Sequence, residues 1–178
     1  EGYIKRENVS LQETWRAMEG LVEKGLVKSI GVSNFSVQLV LELLTFSRIK
    51  PVVNQVEVHP YNTQDLLLRF MKHENILVTA YSPMGSPGGV EEGEDVLLHD
   101  KLIVDLAKKY KKTPAQIALN WGISRDVVII PKSTTKARIK ENIEALEFEM
   151  SPEDHDRISN LNRDYRYVDP IKWWRVPY

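Results

Sequence analysis

The feature that most constrains the fold is the regular alternation of short apolar runs with amphipathic segments of helical spacing. The apolar runs are typical of strands and lie at residues 26–32, 51–58, 76–81 and 127–130. They are apolar along nearly their whole length, as parallel strands are when both faces are buried. The alternation therefore predicts an α/β chain whose parallel strands are joined by right-handed helical crossovers.

Capping residues mark where the helices begin and end. Ser10 and Glu13 form a capping box, and Gly25 stands where a left-handed residue would end the first helix. Further helices are predicted to begin at Ser36, Thr63, Asp100, Thr113, Thr135 and Ser151. Because a helix precedes the first strand, the chain starts inside a strand–helix cycle, which favours half of a (β/α)8 barrel over an open doubly wound sheet. A whole barrel needs about 250 residues, so we expect this chain of 178 residues to be part of a longer protein.

Composition argues against several kinds of partner. The 24 Lys and Arg against 25 Asp and Glu leave a net charge of −1, so no overall positive field attracts nucleic acid. No apolar run approaches the roughly 20 residues of a membrane span, and the absence of cysteine fits a reducing cytoplasm. The histidines lack the spacing of a metal site. We therefore expect a cytoplasmic protein that binds no nucleic acid, membrane or metal.

Polar side chains follow the predicted strands at their carboxyl ends, where parallel α/β proteins collect functional residues. Ser33, Asn34 and Gln55 together offer the donors and acceptors that an amide ligand requires. Buried Asn and Gln also hold loops together, so both interpretations stay open. Tyr81 at the end of the third strand offers a flat ring to a heterocycle, or it packs against the barrel rim.

The fourth strand leads through Lys132, Ser133 and Thr135 into a helix that carries Arg138. A helix start with free amides, hydroxyl donors and two cations is an anion site in outline. The alternative is that Thr135 only caps the helix while the two cations are solvated. Similarly, the Gly-rich loop at residues 85–89 either lets the backbone approach a pyrophosphate or is a surface turn.

Four stretches together resemble the aldo-keto reductase family, NADPH-dependent carbonyl reductases built on a (β/α)8 TIM barrel that include aldose and xylose reductases. They occur in the family's order over nearly the whole chain, at residues 25–35, 54–61, 80–86 and 129–133. The resemblance implies that residues 1–178 are the C-terminal half of such a barrel, carrying strands five to eight. The α/β units would occupy residues 1–161, and a loop that shapes the substrate pocket would occupy residues 162–178.

The resemblance also implies contacts with the cofactor NADP(H). Residues that match Ser33, Asn34 and Gln55 hold the nicotinamide carboxamide, and the residue that matches Tyr81 stacks on the nicotinamide ring. The positions that follow the pyrophosphate match Ser82, Met84 and Ser86. The positions that hold the adenosine 2′-phosphate and the adenine match Lys132, Ser133, Thr135, Arg138, Glu141 and Asn142.

Two departures from the family pattern qualify these expectations. Gly88 stands where aldose-reductase-like members often carry an acid that helps to latch a loop over the cofactor. The family's catalytic tetrad of Asp, Tyr, Lys and His lies upstream of every residue in this chain, and neither Tyr81 nor His59 matches a tetrad position. Trp173 and Trp174 correspond to the variable substrate loop, although the residues alone leave open whether they line a pocket or fasten the tail.

We therefore expect this chain to supply most of the cofactor site, and no catalytic residue, of an oxidoreductase that reduces aldehydes or ketones to alcohols. Its expected partners are a small carbonyl substrate and the missing N-terminal half of the barrel. The alternatives are a non-catalytic truncated homologue that binds nucleotide or a partner, and a degradation fragment. The Ser33-Asn34 and Tyr81-Ser82 matches argue against a phosphate-binding barrel of unrelated chemistry.

Overall fold

The structure of the protein is a computed structural model, and it describes residues 7–89 and 93–171. The helices are α1 (Leu11–Glu23), α2 (Val37–Phe46), α3 (Asp65–Glu74), α4 (Lys101–Tyr110), α5 (Pro114–Ile123), α6 (Lys136–Ile143) and α7 (Pro152–Ser159). The strands are β1 (Val32–Ser33), β2 (Val53–Glu57), β3 (Leu77–Tyr81) and β4 (Val128–Ile129), and 3-10 turns cover Leu97–His99 and Glu144–Leu146. The four strands follow the sheet order β1-β2-β3-β4, and the pairs β1/β2 and β3/β4 are parallel. The predicted α/β class is confirmed.

Several helices begin or end with the local contacts that the sequence predicts. The Ser10 Oγ accepts from the Glu13 N–H at 3.1 Å, and the Glu13 Oε2 accepts from the Ser10 N–H at 2.8 Å. Thr113 and Gln116 form the same reciprocal pair at the start of α5. Gly25 follows α1 with a φ of +69°. Because these contacts span only a few residues, most predicted helix starts lie within a residue or two of the observed ones.

The strands depart further from their sequence prediction. The predicted strands at 26–32 and 127–130 shorten to β1 and β4, the two outer strands of the sheet order. Leu26 is 70% exposed, so the first apolar run is not buried on both faces as expected. Gly31 approaches β2 so closely that a Cβ there would lie 2.3 Å from Val53 Cγ1. Within the sheet order, each outer strand has a hydrogen-bonded neighbour on one side only, and the registers given by the pairing cover two residues of each.

The described residues form two compact units. The first contains residues 7–56, 65–78 and 168–171, and the second contains residues 57–64, 79–89 and 93–167. In neither described part does a helix combine the length and the apolar character that crossing a membrane would require.

The core of the first unit lies between α1 and α2. Trp15, Ile30 and Leu43 are buried together, and the partly buried Val32 and Phe35 pack against them. Val32 lies within β1, and Phe35 lies in the loop that follows it. The core therefore supports the end of β1, where the predicted site residues Ser33 and Asn34 lie.

In the second unit, α4 and α5 pack together and α7 packs on α4. The buried Asp154 carboxylate accepts hydrogen bonds from Lys109 Nζ at 2.5 Å, Tyr110 Oη at 2.6 Å and Arg157 Nη1 at 2.9 Å. Burial alone would raise the pKa of Asp154, but these hydrogen bonds outweigh it and hold the pKa well below its usual range. Asp154 is thus an ionised anchor between α4 and α7.

Candidate functional site

In the first unit, strand pairing brings together the three residues predicted to bind an amide. The parallel register places Ser33 opposite Gln55. The Ser33 Oγ and the Asn34 N–H both donate to the Gln55 carbonyl at 2.9 Å. Asn34 has a φ of +60°, a left-handed conformation that asparagine tolerates better than most residues. Ser33 is exposed, and Asn34 and Gln55 are partly exposed.

Asn54 is a supporting residue that the sequence analysis did not single out. Its side chain is wholly buried, its Oδ1 accepts from the Phe35 N–H at 3.3 Å, and its Nδ2 donates to the Phe35 carbonyl at 2.9 Å. A side-chain amide that forms both bonds with one backbone residue fixes the loop after β1 to β2. An asparagine inside an apolar strand, directly before Gln55, was the available signal.

In the second unit, β3 ends in a turn built from residues with unusual backbone conformations. Ser82, Gly85 and Ser86 have φ values of +49°, +70° and +47°. The Ser86 and Ser82 hydroxyl oxygens lie 2.7 Å apart, within hydrogen-bond distance. Tyr81, Ser82, Met84 and Ser86 are all partly exposed. The turn can therefore present hydroxyl groups and an aromatic ring to a ligand.

The glycines of this loop differ in their surroundings. A Cβ on Gly85 would lie 2.7 Å from Tyr167 Cε2 and 2.9 Å from Leu97 Cβ, whereas a Cβ on Gly88 would meet nothing within 4 Å. Gly85 is buried. Close packing against Tyr167 thus explains why residue 85 has no side chain. An open glycine loop that a pyrophosphate could approach remains a prediction only for the residues after Gly85.

The junction of β4 and α6 has the features of an anion site. Thr135 occupies the N-cap position of α6, but its side chain makes no capping hydrogen bond. Its N–H instead donates to the Ser133 Oγ at 3.1 Å. The Thr135 hydroxyl therefore does not cap α6, although Thr135 occupies the N-cap position. Lys132 and Arg138 are exposed, and neither has an ion-pair partner among residues 7–89 and 93–171.

The far end of α6 combines polar groups with an apolar groove. The Glu141 Oε1 accepts from the Thr113 hydroxyl at 2.5 Å, and the Glu141 carbonyl accepts from Gln116 Nε2 at 3.1 Å. Asn142 and Ser133 are the polar members of the lining of a groove of about 470 Å³. Apolar side chains of β4, α6 and the residues beside them form the rest of its wall. Such a groove suits a flat heterocycle with polar edges.

The predicted site residues thus fall into two groups, one in each unit. Trp173 and Trp174 lie outside the described residues. Among the residues that the structure does describe, no three His, Asp or Glu side chains are grouped so that they could hold a metal ion.

Comparison with known proteins gives consistent results for nearly the whole chain. The model of the Aldo/keto reductase family matches residues 4–163. The chain is 47% identical to the aldo-keto reductase family 1 member A1-A of Danio rerio, over 98% of this chain and 56% of that protein. It is 45% identical to the NADP-dependent D-sorbitol-6-phosphate dehydrogenase of Malus domestica, over 93% of this chain and 54% of that protein. The solved aldose reductase of Giardia lamblia matches with a TM-score of 0.91 and 43% identity, over 99% of this chain and 59% of that one. The chain spans about half the length of the curated relatives that it matches.

Proposed function

The chain belongs to the aldo/keto reductase family, and on that premise we propose that it supplies the nucleotide-binding part of an NADPH-dependent reductase of aldehydes or ketones. When bound, the cofactor supplies the hydride that converts the carbonyl to an alcohol. The residues of this chain bind and orient it. We propose further that the chain corresponds to strands five to eight of the barrel.

The junction of β4 and α6 is the observation that carries this proposal. The first amides of α6 lack a side-chain cap, and the positive end of the helix dipole favours an anion there. Lys132 and Arg138 are available to pair with the 2′-phosphate of NADPH. Glu141 and Asn142 lie one to two turns further along α6, where they can meet the polar edge of the adenine. The Malus domestica relative is an NADP-dependent dehydrogenase, which supports this choice of cofactor.

The other predicted contacts extend the site toward the reacting end of the cofactor. Ser82, Met84 and Ser86 are proposed to follow the pyrophosphate. Tyr81 is proposed to stack on the nicotinamide ring. Ser33, Asn34 and Gln55 are proposed to hold the carboxamide, which fixes the face of the ring that a substrate meets.

Proton transfer to the carbonyl oxygen is assigned to residues outside this chain. In the family these are Asp, Tyr, Lys and His residues of the first four strands, and no residue of this chain matches them. The proposed partners are therefore a carbonyl substrate and an N-terminal half of the barrel, which would contribute the acid. The alternative is a truncated homologue that only binds nucleotide. Such a protein would have the same cofactor site as the proposed reductase but would not reduce carbonyls.

Cofactor preference tests the proposal. We expect the intact protein that carries this chain to bind NADPH at least about tenfold more tightly than NADH, because each charge-assisted bond to the 2′-phosphate contributes roughly 1.5 to 3 kcal/mol. The double variant Lys132→Met, Arg138→Met should lose this preference. Fluorescence titration with both cofactors gives the dissociation constants.

The matched control removes two other exposed lysines of the second unit. Lys108→Met, Lys140→Met changes the net charge by the same amount and should keep the preference for NADPH. Equal dissociation constants for NADPH and NADH in the unmodified protein would contradict the proposal, as would an unchanged preference in the Lys132, Arg138 variant.

A further inference from the structure

The loop that follows β2 is unusually buried. Every residue from Glu57 to Thr63 is buried, although connecting segments ordinarily lie on the surface. The segment 162–167 covers this loop by backbone pairing, since the N–H groups of Arg163 and Tyr165 donate to the Tyr61 carbonyl at 3.2 and 3.0 Å. The two segments, about 100 residues apart in the chain, therefore form one structural element.

A buried carboxylate fixes the end of that element. The Glu57 Oε1 accepts from the His59 Nε2–H at 3.0 Å and from the Tyr167 N–H at 2.8 Å. Glu57 and His59 are both wholly buried, and the rings of His59 and Tyr167 meet edge to face with centroids 5.1 Å apart. His59 Nδ1 is buried without a hydrogen-bond partner in the described structure, which costs stability. The arrangement thus places Tyr167 accurately even though one atom of His59 stays unsatisfied.

Tyr167 in turn contacts the turn after β3. Its ring occupies the space beside Gly85, where an added Cβ would lie 2.7 Å from Cε2. Its hydroxyl donates to the Asp95 carbonyl at 2.6 Å and accepts from the Leu97 N–H at 3.2 Å. Burial raises the pKa of Tyr167 to about 12, so the hydroxyl keeps its proton. The Arg163 guanidinium pairs with the Asp95 carboxylate at 2.8 Å.

We propose that Tyr167 is a positioning residue of the cofactor site. Through its ring against Gly85 and its hydroxyl on Asp95 and Leu97, it holds the Ser82–Ser86 turn in the conformation that meets the pyrophosphate. This inference rests on the proposed function, because it assigns the pyrophosphate to that turn. In this proposal, the buried Glu57 and His59 anchor Tyr167 through the hydrogen bond to its N–H and the edge-to-face contact of the two rings.

Two probes separate positioning from general stability. NADPH carries the pyrophosphate, whereas adenosine 2′,5′-bisphosphate carries the adenine and the 2′-phosphate but no pyrophosphate. In the intact protein that carries this chain, Tyr167→Phe removes the hydroxyl and keeps the ring. We expect it to weaken NADPH binding by about tenfold and to leave adenosine 2′,5′-bisphosphate within about twofold. Gly85→Ala, whose added Cβ would clash with the Tyr167 ring, should have the same selective effect.

Tyr110→Phe is the matched control, because the Tyr110 hydroxyl also bridges two partners, donating to Asp154 at 2.6 Å and accepting from the Ser151 N–H at 2.9 Å. It should lower the thermal midpoint without changing the ratio of the two dissociation constants. Equal weakening of both probes by Tyr167→Phe, or no change in either, would overturn the inference. If the unmodified protein binds neither probe, the proposed function itself fails.

Discussion

Among single residues, Tyr81 allows the clearest test of its role, because its hydroxyl can be removed while its ring is kept. As a stacking platform, it needs the ring alone. In the intact protein, Tyr81→Phe should leave NADPH affinity and turnover within a few fold, while Tyr81→Ala should weaken cofactor binding by about 1 kcal/mol, the scale of an aromatic pair. Titration and steady-state kinetics measure both.

Tyr81→Leu is the control for this prediction, since it keeps apolar volume and lacks a π-face. It should resemble Tyr81→Ala in cofactor affinity. Loss of turnover in Tyr81→Phe would instead assign the hydroxyl to proton transfer and refute the stacking role.

The lowered pKa of Asp154 predicts that the stability of the folded chain depends on pH. Asp154 has a lowered pKa in the folded chain, so its stabilising contribution is complete above the ordinary aspartate pKa of about 3.9 and is lost progressively as the pH falls from there through the lowered pKa of the folded state. Asp154→Asn should therefore lower the urea midpoint clearly at pH 7, and the difference should shrink steadily as the pH is lowered below about 4. Asp156→Asn, an exposed neighbour on α7, should change the midpoint little at any of these pH values. A pH-independent difference for Asp154→Asn would contradict the ionised anchor.

At the scale of elements, the start of α5 links helix capping to the proposed nucleotide site. The Thr113 hydroxyl caps α5 and also donates to the Glu141 carboxylate at 2.5 Å. Thr113→Ala should lower stability by about 1 kcal/mol through the lost cap, and it should weaken NADPH binding because Glu141 loses the contact that orients it. Thermal unfolding and cofactor titration test the two effects.

Ser10→Ala is the matched control for Thr113→Ala, because Ser10 forms the same kind of reciprocal capping box with Glu13 at the start of α1. It should lower stability by a similar amount and leave NADPH affinity unchanged. Thr113→Ser, which keeps the hydroxyl, should behave nearly as the unmodified protein. If Thr113→Ala changes stability alone, Glu141 does not depend on Thr113 for its orientation.

At the scale of the whole molecule, the outer strands determine how residues 1–178 behave when expressed alone. β1 and β4 are the ends of the sheet order, and Val128 and Ile130 are 50% and 43% exposed. Exposed apolar edges recruit other chains. We expect this polypeptide to dimerise, to aggregate, or to fold only together with the proposed N-terminal half of the barrel, and light scattering reports its mass.

The same polypeptide should not reduce carbonyls. In the proposed assignment, the acid that protonates the developing alkoxide lies outside this polypeptide, and general acid catalysis typically contributes about 10² to 10⁴ in rate. NADPH oxidation with a panel of aldehydes tests this, and Val128→Lys, Ile130→Lys should reduce self-association by charging the β4 edge. A stable monomer with turnover would contradict both expectations.

The sequence by itself determined the order of elements, the α/β class and most helix starts. The reason is physical: capping boxes such as Ser10–Glu13 and the left-handed Gly25 act over three to five residues, and apolar periodicity is read within one segment. The motifs at residues 25–35, 54–61, 80–86 and 129–133 together also identified the family, which the comparisons confirm.

Tertiary structure decided what depends on residues distant in the chain. The lengths of β1 and β4, the fastening of Phe35 by Asn54, and the position of Tyr167 on Glu57, 110 residues away, follow from which segments pack together. The chemistry of a side chain limits which hydrogen bonds it can form, but burial and strand register determine which partner it contacts. For that reason the sequence could nominate Gln55 and Glu141 for a site, and only the fold showed that the backbone of one and the carboxylate of the other are already engaged within the protein.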